Sequence, residues 1–269
     1  MPLHQKYKYT LTRHIHTNPS ASVKISLITI VYNNCETIAE AIESVLGQTY
    51  PHIEYIVVDG NSTDGTVAVV KSYGARISQF VSEPDQGLYD AINKGILLAT
   101  GEVIGLLHAD DIFFNAEAVA TVAQTFLKQE TDSVYGDLLY VRKENTNNIV
   151  RNWVSGSYRR EKFIYGWMPP HPTFYVKKAC FENYGLYNTR LKSAADYELM
   201  LRFLYKHQIT TRYIPEKLVK MRVGGKSNAT WRNRIRANRE DQAAWHLNGL
   251  KPHFYTRFLK PLRKLMQYL

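Results

Sequence analysis

The segment His108-Ala109-Asp110-Asp111 places two carboxylates directly after the apolar run Val103-Ile104-Gly105-Leu106-Leu107. A short apolar run bounded by Gly101 and by acids predicts a buried strand ending at its carboxyl edge. In open α/β sheets that edge is where ligands bind. An unpaired charge is too costly to keep in an apolar core, so these acids belong to a site or to a cap. As a site, hard oxygen donors on a rigid strand end suit a divalent cation that grips a diphosphate. As a cap, the pair would only begin the next helix.

A second acid, Asp59, closes the run Ile53 to Asp59 in the same way. Its carboxylate can accept a hydrogen bond from the ring N–H of a uracil, or it can shape the turn together with Asn61. Ser82-Glu83-Pro84-Asp85-Gln86-Gly87 follows a third short strand, and Asp85 can also cap the helix beyond. Lys94 on that helix either faces a phosphate or is simply solvated. Asp196 stands at the start of a helix, where a general base can be held near a pocket mouth. An acid in a first helical turn is also stabilised by the helix dipole alone. His171 sits in the proline-bracketed Met168-Pro169-Pro170-His171-Pro172, placed to touch an acceptor or a diphosphate.

The elements that must position these groups alternate. Lys24 to Tyr32, Ile53 to Asp59, Ile77 to Ser82 and Glu102 to Leu107 read as strands, separated by helices over Thr37–Leu46, Thr66–Tyr73 and Leu88–Ala99. Such alternation predicts an α/β fold with a mainly parallel, doubly wound sheet. A helix over Ala116–Gln129 and antiparallel strands over Ser133–Val141 and Ile149–Val154 follow. Order loosens over 155–190, and a helix resumes over Ala195–Tyr205.

The net charge of +10 is unevenly placed. From Arg212 to Leu269 there are 14 Lys and Arg against 3 acids, whereas the first 211 residues hold 20 against 21. Any anionic partner is therefore expected to meet the tail. No run approaches the ~20 apolar residues of a membrane span. Residues 1–22 are polar and unlike a signal peptide. Cys35 and Cys180 lie far apart, giving no disulfide framework and no zinc spacing. These features predict a cytoplasmic protein with reduced thiols.

SLITIVYNN, IEYIVVDGNSTDGT, SEPDQGLYDAINKGILLATGEVIGLLHADD and SAADYELMLR, in this order between Lys24 and Gly225, resemble family 2 glycosyltransferases of the GT-A fold. That group builds bacterial surface polysaccharides. The resemblance implies a Rossmann-like catalytic domain over 23–225, preceded by a leader over 1–22 and followed by a basic helical extension over 226–269. It implies that Val31 and Tyr32 line the base pocket, with Asp59 on the uracil ring. Glu83 and Asp85 border the nucleotide and sugar. Asp110 holds Mn²⁺ or Mg²⁺ on the diphosphate with Asp111 as neighbour, and Asp196 deprotonates the acceptor hydroxyl for inverting, in-line attack. The expected activity is hexosyl or N-acetylhexosaminyl transfer from a nucleotide-sugar, UDP-sugar favoured, to a lipid-linked or glycan acceptor.

The chain departs from the family pattern in two places. His108 stands where many members carry an acid, leaving Asp110 as the main metal ligand, and Ala195 replaces the acid often found before the base. The Gln-x-x-Arg-Trp signature of processive synthases is absent, which implies addition of one sugar.

Phe254, Phe258, Leu262, Leu265, Met266 and Leu269 recur at helical spacing among Arg257, Lys260, Arg263 and Lys264. A basic amphipathic segment over 252–269 suits an anionic membrane surface, hence a peripheral position on the inner face of the cytoplasmic membrane. Packing on the catalytic domain, or on a second subunit in an oligomer, is the other reading. Two other functions suit parts of the sequence. A nucleic-acid binder fits the basic tail, but the charge is confined to one end and no recognised motif appears, so no nucleic-acid partner is expected. A nucleotidyltransferase on a similar sheet usually opens with a Gly- and Arg/Lys-rich loop, which Tyr32-Asn33-Asn34-Cys35 is not.

Overall fold

The computed structural model describes residues 22–224, 231–252 and 256. One mixed sheet runs through it. Strands β1 (Ile25–Val31), β2 (Ile53–Asp59), β3 (Gln79–Ser82) and β4 (Val103–Leu106) are parallel, in spatial order β3-β2-β1-β4. All seven residues of β1 are buried, as expected of a strand covered on both faces. The chain winds outward from β1 to β2 and β3, then returns to place β4 on the other side. The carboxyl ends of β1 and β4 therefore flank the switch point, the position of ligand sites in such sheets.

Helices α1 (Ile38–Leu46), α2 (Thr66–Ser72) and α3 (Leu88–Leu98) make the crossovers. Ile38, Ala41, Ile42 and Val45 of α1 are buried, matching the helical spacing of the sequence. On α3, Ala91, Ile92, Gly95 and Ile96 are buried against β1 and β2. Gly95 permits close approach: a Cβ there would lie 2.4 Å from Ile28 Cγ2. Helix α4 (Ala118–Lys128) packs on the sheet against β6 (Ser133–Val141) and β9 (Thr211–Arg222), with Val119 and Val122 in the same core as Ile25 and Leu27.

Beyond β4 the sheet becomes mixed. The short β5 (Ile112–Phe113) and the long β6 (Ser133–Val141) and β7 (Ile149–Trp153) are followed by β8 (Tyr175–Lys177) and β9 (Thr211–Arg222). β8 lies antiparallel between β4 and β6, β9 runs parallel to β6, and β5 is antiparallel to β9. β7 pairs antiparallel with β6, as the sequence suggested. Within the loosely ordered 155–190 the structure adds β8 and helix α5 (Lys178–Tyr184).

Helix α6 (Ala195–Met200) widens into a π-helical segment over Leu201–Lys206. Helix α7 (Trp231–Leu247) then returns to pack on α6, burying Ala244 and Trp245 in the core that holds Leu199 and Phe203. No described helix is long and apolar enough to cross a membrane. The leader except Ser22, and all of 252–269 except Pro252 and Thr256, lie outside the described residues.

Candidate active site

The ends of β1, β2 and β3 and the loops after them carry Val31, Tyr32, Asp59, Glu83 and Asp85. Val31 is buried, pairs with Asp59 across the two strands, and its carbonyl accepts the Gly60 amide at 2.9 Å. The loops are laced together. The Asn33 amide donates to Ser62 Oγ (2.8 Å), the Thr63 amide to Asn33 Oδ1 (2.8 Å) and the Cys35 amide to Asp64 Oδ2 (3.0 Å). Asn33 (φ 48°) and Asn61 (φ 66°) take left-handed backbone, which Asn tolerates better than most residues.

Asp59 is fully buried, and Oδ2 accepts from the Ser62 amide (2.9 Å) and the Ser82 hydroxyl (2.7 Å), while Oδ1 accepts from the Ser62 hydroxyl. It therefore shapes the turn and ties β2 to β3. A carboxylate offers about four acceptor positions, so these three donors leave capacity for one more.

Asp85 is drawn in beside it. A Cβ on Gly60 would lie 2.4 Å from Asp85 Oδ2 and 3.4 Å from the Tyr32 ring, so three loop ends converge where a side chain would block them. Asp85 Oδ1 also accepts the Gly87 amide at 2.8 Å. Tyr32 is 55% exposed, leaving its ring largely open to solvent. Glu83 instead pairs with Lys94 Nζ at 2.8 Å, and Lys94 also donates to the Pro84 carbonyl (2.8 Å). Lys94 thus braces the loop after β3.

The acid loop is held by its backbone. Leu107 extends the β4 ladder through its amide to the Ile28 carbonyl (3.1 Å), and Thr37 Oγ1 donates to the Ala109 carbonyl (2.9 Å). Arg222, at the end of β9, donates from Nη1 to the Asp110 carbonyl (2.7 Å), from its amide to Asp111 Oδ1 (3.2 Å), and from Nη2 to Glu40. Asp110 keeps a half-buried side chain, whereas Asp111 is 1% exposed. Asp111 Oδ2 has no hydrogen-bond partner among the described residues. Burial, and the neighbouring Asp110 charge, push the Asp111 carboxyl well above the usual carboxylate range, against the opposing pull of Arg222.

Nothing in the sequence around Arg222 marks it, because its partners lie more than a hundred residues away. Replacing it with Met is expected to cost about 2 kcal/mol, since charged hydrogen bonds to buried groups are lost. Thermal or urea unfolding measures this, and an unchanged midpoint would contradict the bracing role.

Asp196 is the second residue of α6. Its Oδ1 accepts from the Tyr197 amide (2.8 Å) and from the Tyr89 hydroxyl (3.3 Å). The Tyr89 and Tyr187 rings stack at 5.8 Å, and Tyr187 Oη lies 2.8 Å from His171 Nε2. The His108 and His171 rings are 5.8 Å apart. Burial lowers the His108 pKa, opposed by the charges of Asp110 and Asp196.

Tyr89 and Tyr187 were not singled out in the sequence. Tyr89 follows Gly87-Leu88 within the quoted motif, and only its contact with Asp196 distinguishes it from an ordinary core tyrosine.

Burial pushes His171 down to about 4, with His108 adding to the effect and Asp196 opposing it. As pH falls from about 6.5, the unfolded chain takes up this proton and the folded chain does not. The stability that neutral His171 contributes above pH 6.5 is thus lost as pH falls toward 4. His171→Gln is expected to lose less stability over that window in urea titrations, and parallel pH curves would contradict the assignment.

Among the described residues no group of three or more His, Cys, Asp or Glu side chains could hold a metal by itself. One fixed carboxylate does suit Mg²⁺ or Mn²⁺, which bind through one or two carboxylates together with substrate phosphates. Asp110 fits that role, for an ion that arrives with the diphosphate.

The sequence matches the family model for glycosyl transferase family 2 over residues 26–185. It is 29% identical over 198 residues to a PGL/p-HBAD biosynthesis glycosyltransferase of Mycobacterium bovis, covering 72% of this chain and 75% of that protein. S. aureus TarS 1-349 in complex with UDP-GlcNAc has the same fold (TM-score 0.64, 19% identity), with 84% of this chain covering 65% of that one. So has the mannosyltransferase PcManGT of Pyrobaculum calidifontis in complex with GDP-Man and Mn²⁺ (TM-score 0.65, 19% identity), over 93% of this chain and 70% of that one. At such identities the two structures speak for the fold alone. The family match contains Asp59, Asp110 and His171 and ends before Asp196. Since it spans more than half of the sequence, this chain belongs to glycosyl transferase family 2.

Proposed function

We propose that this glycosyltransferase transfers one sugar from a UDP-sugar to a hydroxyl of a lipid-linked or glycan acceptor, inverting the anomeric centre, with Asp196 as base. The observation that carries this reading is the run of contacts from the acid loop to Asp196: the His108 ring lies 5.8 Å from that of His171, His171 meets the Tyr187 hydroxyl at 2.8 Å, Tyr187 stacks on Tyr89, and Tyr89 donates to Asp196 at 3.3 Å. The segment that carries Asp110 and the base Asp196 are thus joined through side chains from different elements. Asp59 and Asp85, with Val31 and Tyr32, form the nucleotide side.

In the reaction the acceptor oxygen attacks the anomeric carbon as its proton passes to the Asp196 carboxylate. The new C–O bond forms while the bond to the diphosphate oxygen breaks, and that oxygen keeps the electron pair. Tyr89 orients the base through its hydroxyl. A divalent ion, when bound, neutralises charge on the departing diphosphate. Asp110 would hold it, with the Asp110 backbone fixed by Arg222. Separate acids serve the two ends because attack and departure occur on opposite faces of the sugar.

The uracil preference rests on Asp59 and is supported by the UDP-GlcNAc carried by TarS. A biosynthetic role for the transfer is supported by the name of the mycobacterial relative, a PGL/p-HBAD biosynthesis glycosyltransferase. Family membership favours transfer over the nucleic-acid-binding and nucleotidyltransferase readings. The test is a panel of UDP- and GDP-sugars with lipid-linked acceptors, with product configuration read by NMR. An α-linked donor should give a β-linked product, and retention would overturn the single displacement.

The segment 252–269 is proposed to meet an anionic cytoplasmic leaflet, with about 1 kcal/mol per Lys or Arg. Deleting it should lower activity on vesicle-borne acceptors at least tenfold more than on soluble ones. Equal losses would point to packing on protein instead.

A further inference from the structure

Helix α7 lies beyond the residues matched by the family model, yet its side chains reach the segment that carries Asp196. Glu240 Oε2 accepts the Ser193 amide (2.7 Å) and the Ala194 amide (3.1 Å), the two residues that lead into α6. Arg236 Nε donates to Ser193 Oγ at 3.3 Å. One turn further on, Trp245 Nε1 donates to the Tyr197 hydroxyl (3.0 Å), and Asn248 Nδ2 donates to Glu198 Oε1 (3.1 Å). Contacts from α7 and the turn after it thus fall on residues 193, 194, 197 and 198, on both sides of Asp196.

We propose that α7 is a positioning element for Asp196, with Glu240 fixing the loop that delivers the base and Trp245 fixing the helix behind it. The inference rests on Asp196 serving as base. Physically, α6 is six residues long and gives way at once to π-helical turns, so its own hydrogen bonds hold its first turn weakly. A carboxylate accepting two backbone N–H groups makes charge-assisted bonds that fix the loop more firmly than neutral ones. The Trp245 ring is 2% exposed and anchors α7 at the other end. Proton abstraction is sensitive to such placement, since an error of about 1 Å can cost about a hundredfold in rate. The carboxyl-terminal part of this chain would then set the catalytic geometry, in addition to any part it plays at a membrane.

The test uses the full chain and three substitutions. Glu240→Ala should lower kcat by about tenfold or more while UDP affinity, measured by calorimetry, stays within about twofold of the parent. Glu240→Gln keeps an oxygen that accepts both amides, though through weaker neutral bonds, and should recover part of the kcat lost in Glu240→Ala. Trp245→Phe retains a buried ring but removes the bond to Tyr197, and should also lower kcat without changing UDP affinity; it serves if Glu240→Ala does not fold. A Glu240→Ala enzyme with unchanged kcat would overturn the proposal. So would a parallel loss of kcat and UDP affinity, or failure of Glu240→Gln to recover activity. Asp196→Asn separates the two levels of the argument. Full transfer by that variant would remove the base assignment itself. Lost transfer, beside an unaffected Glu240→Ala, would remove only the role of α7.

Discussion

Asp196→Asn is expected to reduce transfer by about a thousandfold while leaving UDP-sugar affinity unchanged, because general base catalysis contributes about 10² to 10⁴ in rate. The amide keeps the size of the carboxylate, and its oxygen can still accept from the Tyr197 amide and the Tyr89 hydroxyl. What it loses is the ability to take a proton. The proposed nucleotide side, in the loops after β1, β2 and β3, is separate from Tyr89 and Tyr197, which hold the Asp196 carboxylate. Steady-state kinetics with donor and acceptor varied separately, together with calorimetric donor binding, checks this. A parallel fall in donor affinity would make Asp196 a structural residue.

Asp110→Ala should remove at least about 100-fold of turnover, since stabilising charge on a leaving diphosphate contributes several kcal/mol and each 1.36 kcal/mol is tenfold. Its second consequence is more diagnostic. The parent enzyme should bind UDP more tightly with Mn²⁺ than with EDTA, whereas the variant should bind UDP equally in both. The Asp110 carbonyl would still accept from Arg222 and the loop would keep its shape, so global unfolding is not expected. Retained metal dependence in the variant would assign the ion to other ligands. Asp111 is a poor substitute, because its carboxyl is buried and lies against the amide of Arg222.

What the sequence reveals follows how locally each feature is encoded. Strands buried on both faces read as continuous apolar runs, so the apolar runs of β1, β2 and β4 end within a residue or two of the strands themselves. The acids beyond them stand out because a charge after such a run has few structural reasons to be there. Helix α3 was readable down to its buried face, Ala91, Ile92, Gly95 and Ile96.

Long-range partners were not legible. β8 is only three residues long, and β9 contains Pro215 and an irregular burial pattern, so neither presents a clear period. Without β9, Arg222 has no visible reason to touch Asp110. Tyr89, Tyr187 and His108 gain meaning only when β4, α3 and α6 are brought together. Likewise, adjacent acids in the sequence gave no sign that Asp110 and Asp111 would differ so strongly in exposure. The docking of α7 on α6 depends on Trp245 and Glu240, which in the sequence look like ordinary members of a polar helix.

The central claim is that the strand-end acids form a metal-assisted nucleotide-sugar site. It is tested most directly by calorimetric binding of UDP and GDP to the full chain, each with Mn²⁺ and with EDTA. The account predicts binding of UDP over GDP that weakens at least tenfold when the ion is removed. Binding of neither nucleotide, or UDP binding indifferent to the ion, would contradict it.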